Sequence, residues 1–191
     1  MSTIKQERTD AQLIRESIRG EGEAFVELVG RHATPVHSYL ARRAGRSAAD
    51  DLLGDVWVAA FEARRRYDQR FETARPWLFG IARNVLRAYL RKEGRPVFPT
   101  AGSVDPWPDI DAGLDAVTAV MNAIRSLPEG DREVLLLVAW EDLSVTQAAK
   151  VLGIPPGTAR WRLHRARAAL RPASGAALVV TSDSDKEPCD D

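Results

Sequence analysis

One cysteine, three histidines and no long apolar run define what this 191-residue chain does without. The lone Cys189 has no partner in the chain, so no internal disulfide braces the fold, and a reduced compartment is expected. His32, His37 and His164 are scattered among arginines and apolar residues without zinc-ligand spacing, so neither a metal nor another cofactor is expected. No window approaches the roughly 20 apolar residues of a membrane span, and the opening "MSTIKQERTDAQLIRES" lacks a signal-peptide core. The expected setting is the cytoplasm, away from the membrane. Net charge is also lacking, because 27 Lys and Arg balance 27 Asp and Glu. Alternating β-type stretches are missing apart from a short "ALVV" near the C-terminus. No nucleophile–base pair or phosphate-cradling glycine loop stands out, and the chain is not read as an enzyme.

What is present is helical periodicity, in two blocks. From Asp10 to about Lys92, and again from Ala112 to Arg171, apolar residues recur at helical spacing. Between them "EGRPVFPTAGSVDPWPDID" holds four prolines and two glycines, and the pattern breaks. The expected fold is all-α, with two small helical domains at 10–92 and 112–171. A flexible linker at 93–111 joins them, and an unstructured acidic tail at 172–191 follows.

The neutral total conceals local imbalance. Residues 60–95 carry ten basic against four acidic side chains, and 157–171 carry five arginines and no acid. The stretch 101–120 holds Asp105, Asp109, Asp111 and Asp115 with no basic residue. Two basic blocks separated by an acidic connector suit a chain that touches nucleic acid in two places.

The second basic block sits in "LSVTQAAKVLGIPPGTARWRLHRARAAL". Ser144 and Gln147 have capping-box spacing, Gly153 is placed to end the first helix, and Pro155 and Pro156 open a second. With Ala159, Leu163, Ala166 and Leu170 inward, Arg160, Trp161, His164, Arg165 and Arg167 take exposed or flanking positions. A short helix, a glycine turn and a basic helix make a helix-turn-helix, and such a helix fits the DNA major groove. The alternative is a plain helical hairpin, but a solvated helix ordinarily intersperses glutamates among its cations. Ahead of the pair, "LPEGDREVLLLVAWEDLS" gives another helix with Leu135, Leu136, Val138 and Ala139 as its apolar face.

In the first block, "SAADDLLGDVWVAAFEARRRYD" runs from acidic to basic, the order a helix dipole favours, with Leu52, Val56, Ala59 and Ala60 inward. "ARPWLFGIARNVLRAYLRK" follows, with Trp77, Leu78, Ile81, Val85 and Leu86 on its core side. Arg83, Arg87 and Arg91 form a basic stripe at four-residue spacing. Trp77 and Tyr67 beside "RRRYDQRFETAR" put aromatic rings among cations, which suits melted DNA; each ring is equally compatible with plain core.

These stretches resemble the extracytoplasmic-function (ECF) sigma factors of the sigma-70 family, over roughly Asp10 to Arg171. "DDLLGDVWVAAF", "ARPWLFGIARNVLRAYLRK" and the segment from "LPEGDREV" to "RARAALR" carry the resemblance. It implies a sigma factor that directs promoter recognition, DNA melting and transcription initiation, built from sigma domains two and four. Asp51, Leu52 and Asp55 would grip the clamp helices of the largest core RNA polymerase subunit. Arg75, Trp77, Arg83, Asn84 and Arg87, with Arg91 from the stripe, would capture the minus-ten element. Arg160, Trp161, Arg162 and Arg165, flanked by His164 and Arg167, would read the minus-thirty-five element. Domain four would also dock on the flap of the second-largest subunit, and the linker acids would lie near the RNA exit path. An anti-sigma factor is an expected partner. Two positions depart from the family pattern: Gly54 where glutamine is common, and Trp161 where a small residue is usual.

Two rivals predict different behaviour. A conventional helix-turn-helix regulator would bind a palindromic duplex as a dimer without polymerase. A protein-sequestering module would show no salt-dependent DNA affinity.

Overall fold

Thr9 starts the first helix, α1 (Asp10–Ile18), through a capping box in which its side chain accepts from Gln12 N–H and Gln12 returns the bond. Helices α2 (Gly22–Ala44) and α3 (Arg46–Ala63) meet at Gly45, whose φ of 91° disfavours any side chain. A 3-10 turn (Arg64–Arg66) and a loop lead to α4 (Arg75–Lys92), with Pro76 in the first turn, where a missing N–H does no harm. The second half comprises α5 (Asp115–Ser126), α6 (Glu129–Ala139), α7 (Val145–Leu152) and α8 (Pro156–Leu170). This computed structural model describes residues 8–95 and 115–171, in which no strand occurs. The acids Asp105, Asp109 and Asp111 and the tail from residue 172 lie outside the described residues.

The first core is built from Leu13, Ile14, Leu28, Leu40, Leu78, Phe79, Leu86 and Leu90, with Tyr39 set edge-on to Phe79 at 5.4 Å. Leu52, Val56 and Ala60 are buried as the periodicity requires, while Ala59 is half-buried. On α4 the buried stripe is Leu78, Phe79, Ala82, Leu86 and Leu90. The expected core residues Trp77, Ile81 and Val85 are half-buried at the edge of this core, and Trp77 and Ile81 border a cavity between α4 and α7.

The second core joins Ile124, Leu127, Val134, Leu135, Leu136, Ala149, Ala159, Leu163 and Ala166. Helix α6 departs from the expected single apolar face. Its residues Glu133 to Leu137 are all buried, and Ala139 is exposed. The reason is its position between the two cores: Leu137 belongs to the first, Val134, Leu135 and Leu136 to the second. Leu143, Ala148 and Val151 also enter the first core, so α4 packs along α7 and the two groups of helices share a seam. Each leucine or valine removed from water there contributes about 1.5–3 kcal/mol.

Candidate nucleic-acid interface

The α7–α8 pair forms for local reasons. Ser144 Oγ accepts from Gln147 N–H while Ser144 N donates to the Gln147 side chain at 2.8 Å. Gly153 takes the left-handed cap at φ 66°, ψ 35°, and Ile154 N–H returns to Ala149 at 3.0 Å. Ala159, Leu163 and Ala166 are buried, Leu170 is half-buried, and Arg160, Trp161, His164, Arg165 and Arg167 reach the surface. Arg162 is half-buried against α6. A Cβ at Gly130 would stand 2.7 Å from the Arg162 guanidinium, so glycine there makes room for it.

Arg165 differs from its neighbours. Its fork is turned inward onto Asp131, with Nη2 donating to Oδ1 at 2.8 Å and Nε to Oδ2. Asp131 is 1% exposed and sits in the first turn of α6, where the helix dipole also favours its charge. The Asp131 hydrogen bond raises the Arg165 pKa above its ordinary value. The same guanidinium lies over the Trp161 ring at 4.1 Å. Arg165, expected among the base readers, thus bridges α6 and the indole while its side chain stays 47% exposed.

On the first half, the loop before α4 is held from behind. Asp10 Oδ2 accepts from Ala74 N–H at 2.8 Å and lies 2.8 Å from His32 Nε2, all buried, with Arg31 at 3.4 Å from Oδ1. Within the loop, Tyr67 OH donates to Phe71 O at 2.5 Å, and burial pushes its phenol up to about 12. Arg70 hydrogen-bonds Asp68 and holds that carboxyl down at about 2. Trp77 meets Tyr67 edge-on at 5.2 Å. These rings and Phe71 line a cavity of about 500 Å³ that is bordered on the other half by Gln147, Lys150 and Val151 of α7. Lys150 Nζ stands 3.4 Å from the centre of the Phe71 ring.

The stripe expected on α4 is split. Asn84, Arg87 and Arg91 are exposed, but Arg83 is 13% exposed and paired with Glu133 of α6. Arg75 Nε donates to the backbone oxygen of Glu141 at 3.0 Å. The Glu141 carboxylate, 1% exposed, receives Arg42 and lies 3.8 Å from Arg43. The seam between the halves thus occupies two of the expected minus-ten residues, since a cation enclosed by packing needs a carboxylate or carbonyl.

On α3, Asp51 and Asp55 are exposed with Gly54 between them. Leu52 is 4% exposed and packs inward in phase with Val56 and Ala60, so of the three residues expected at the clamp Asp51 and Asp55 are the ones that stand on the surface. Sequence reasoning also missed the acids that anchor the arginines. The available signal was Glu133 and Glu141 bracketing the apolar run of α6, where a charge needs a partner. Among the described residues, no cluster of His, Cys, Asp and Glu is placed to hold a metal, and no helix is long and apolar enough to cross a membrane.

Residues 28–96 match the family model for Sigma-70 region 2, and residues 118–170 match Sigma-70, region 4. The chain is similar to the ECF RNA polymerase sigma factor SigM of Mycobacterium tuberculosis, 33% identical over 172 residues, covering 87% of this chain and 85% of that protein. It is also similar to RNA polymerase sigma factor CarQ of Myxococcus xanthus, at 33% identity with coverage of 82% and 92%. Among solved structures it resembles CnrH in complex with the cytosolic domain of CnrY. The TM-score is 0.61 at 27% identity, with 84% of this chain and 94% of that chain covered.

Proposed function

We propose, from the premise that this chain belongs to the sigma-70 family as an ECF RNA polymerase sigma factor for transcription initiation, that its two basic helices divide promoter recognition between them. Helix α8 holds the minus-thirty-five duplex in the major groove, through Arg160, Trp161, His164 and Arg167. Helix α4 and the loop before it hold the minus-ten element as it melts, through Asn84, Arg87 and Arg91, with Trp77 stacking on an unpaired base. Asp51 and Asp55 meet the clamp helices of the largest polymerase subunit, and the second half docks on the flap of the second-largest. On this reading the domains run from 10 to 92 and from 112 to 171.

One observation carries the reading. The two helices whose outer faces present cations fall one in each of the two stretches that match the sigma-70 region models. Arg75 and Arg83 join the minus-ten contact once the seam parts. A DNA phosphate offers Arg83 the same paired acceptors as Glu133, so exchanging one for the other offsets part of what opening costs. CnrH was captured with a partner's cytosolic domain, and a comparable anti-sigma regulator is proposed for this chain.

No bond-making step is assigned to the chain itself, since nucleotide addition belongs to the polymerase. Its place of action is the cytoplasm, with polymerase and chromosome. The test is reconstitution with sigma-free core polymerase on a promoter selected from a randomised library. Promoter-specific transcripts that depend on this chain support the proposal. Duplex binding without polymerase and no transcript with it would instead favour a conventional helix-turn-helix regulator.

A further inference from the structure

Helix α8 carries one large apolar group where its outer face is otherwise cationic. Trp161 is 55% exposed, in the first half of the helix, the part that a recognition helix points into the major groove. An exposed indole on a mobile side chain would be an interaction liability. This one is fixed. Arg165 covers its ring at 4.1 Å, and Arg165 is itself clamped by two bonds to Asp131, which is 1% exposed in the neighbouring helix. The three residues form a stack running from buried Asp131 in the first turn of α6 out to the outer side of α8.

The chemistry of the groove limits what such a group can read. An indole ring cannot neutralise a phosphate. Against the major-groove edges of guanine, adenine and cytosine it would strip water from donors and acceptors and replace few of those bonds. One apolar group projects into the major groove from the four standard base pairs, the C5-methyl of thymine. We propose that Trp161 is a specificity-determining residue that packs on a thymine methyl in the minus-thirty-five element, with Asp131 and Arg165 as positioning residues that hold the indole in register. The inference rests on the sigma-factor reading above and gives it a base preference.

The experiment uses the full chain with core polymerase and the library-selected promoter. Thymines of the minus-thirty-five element are replaced singly by deoxyuridine, which removes the methyl and nothing else. Wild-type holoenzyme is expected to lose about four-fold in affinity at one thymine, the equivalent of one methyl group returned to water. Trp161→Ala is expected to bind the thymine and deoxyuridine forms alike, and to select promoters without a thymine preference at that position. Arg165→Lys keeps the charge but loses the fork, so it is expected to reduce the thymine-to-deoxyuridine ratio, a readout that loss of fold or of net charge would not move.

Wild-type holoenzyme that initiates normally yet is indifferent to every deoxyuridine overturns the thymine contact and leaves the sigma assignment standing. So does a Trp161→Ala variant that keeps the discrimination while losing affinity for core polymerase, which would put the indole on the flap. A chain that supports no initiation removes both readings.

Discussion

Arg83 and Glu133 meet fork to fork across the seam between the two halves, Nε to Oε1 at 3.2 Å and Nη2 to Oε2 at 3.1 Å, with side chains 13% and 10% exposed. Burial alone works against the guanidinium charge, yet the Glu133 contact outweighs it and raises the Arg83 pKa. The pair joins α4, which carries minus-ten candidates, to α6, which supports the helix-turn-helix. A residue proposed to touch melted DNA is thus occupied by its own chain.

Glu133→Gln keeps the shape and removes the charge. It is expected to weaken the seam by about 2 kcal/mol, the range for hydrogen bonds to charged groups, which is roughly a thirty-fold shift toward separated halves. Small-angle scattering of the free protein should show a larger radius of gyration, and fork-junction DNA should bind the free chain more tightly. An unchanged radius together with unchanged DNA affinity would show that the pair does not restrain the halves.

Acid should loosen the first half through Asp10. Desolvation pushes this carboxyl up, but His32, the Ala74 N–H and Arg31 together hold it below its ordinary 3.8. A depressed folded-state pKa stabilises the native state above about pH 4, and that contribution is lost as pH falls through 3.8 toward the folded value. Thermal melts between pH 6 and 3 should therefore decline steeply at the acid end for the wild type. Asp10→Asn should melt lower at pH 6 and decline less, because one titrating group is gone. Parallel curves for the two proteins would refute the linkage.

Gly153 fixes the angle between α7 and α8 through its φ of 66°, and a Cβ there would meet open space. The penalty of Gly153→Ala is therefore conformational, about 1–2 kcal/mol. For a chain of this size each kcal/mol lowers Tm by about 2–4 °C. Calorimetry should show that drop, and minus-thirty-five binding should weaken with it while Asp51 and Asp55 still engage polymerase.

What the sequence disclosed was what neighbours in the chain decide. The Ser144 capping box, the Gly153 cap, the prolines opening α8 and the inward run Ala159–Leu163–Ala166 depend on residues within a few positions of one another. The split of the α4 stripe depends on a pairing between residues 50 apart, Arg83–Glu133, and Arg75 at the start of α4 is taken up by the backbone of Glu141, 66 residues away. Periodicity assigns α6 one apolar face because it counts one core, whereas packing wraps two around it. By contrast, helical spacing alone sets Leu52 in phase with Val56 and Ala60 on the inward face of α3, where it is buried. Arg165 read as one more cation until Asp131, 34 residues away, fixed its direction.

Substitution of Arg87 is the test that separates the proposed melting role of α4 from duplex binding. It is exposed on α4 with Asn84 and Arg91, while the seam takes Arg83. Arg87→Glu should leave the fold intact, since no buried group loses a partner, and surface substitutions of this kind stay within about 0.5 kcal/mol. Its effect should fall on the step in which single-stranded phosphates enter the α4 face. Loss of one phosphate contact lowers the salt dependence of that step by a slope of about 0.7, and the reversed charge adds repulsion. Permanganate reactivity of minus-ten thymines should drop several-fold relative to wild type, with closed-complex footprints over the minus-thirty-five element unchanged. Equal loss of both footprints would mean that α4 contributes to initial docking, and the division of labour between α4 and α8 would have to be redrawn.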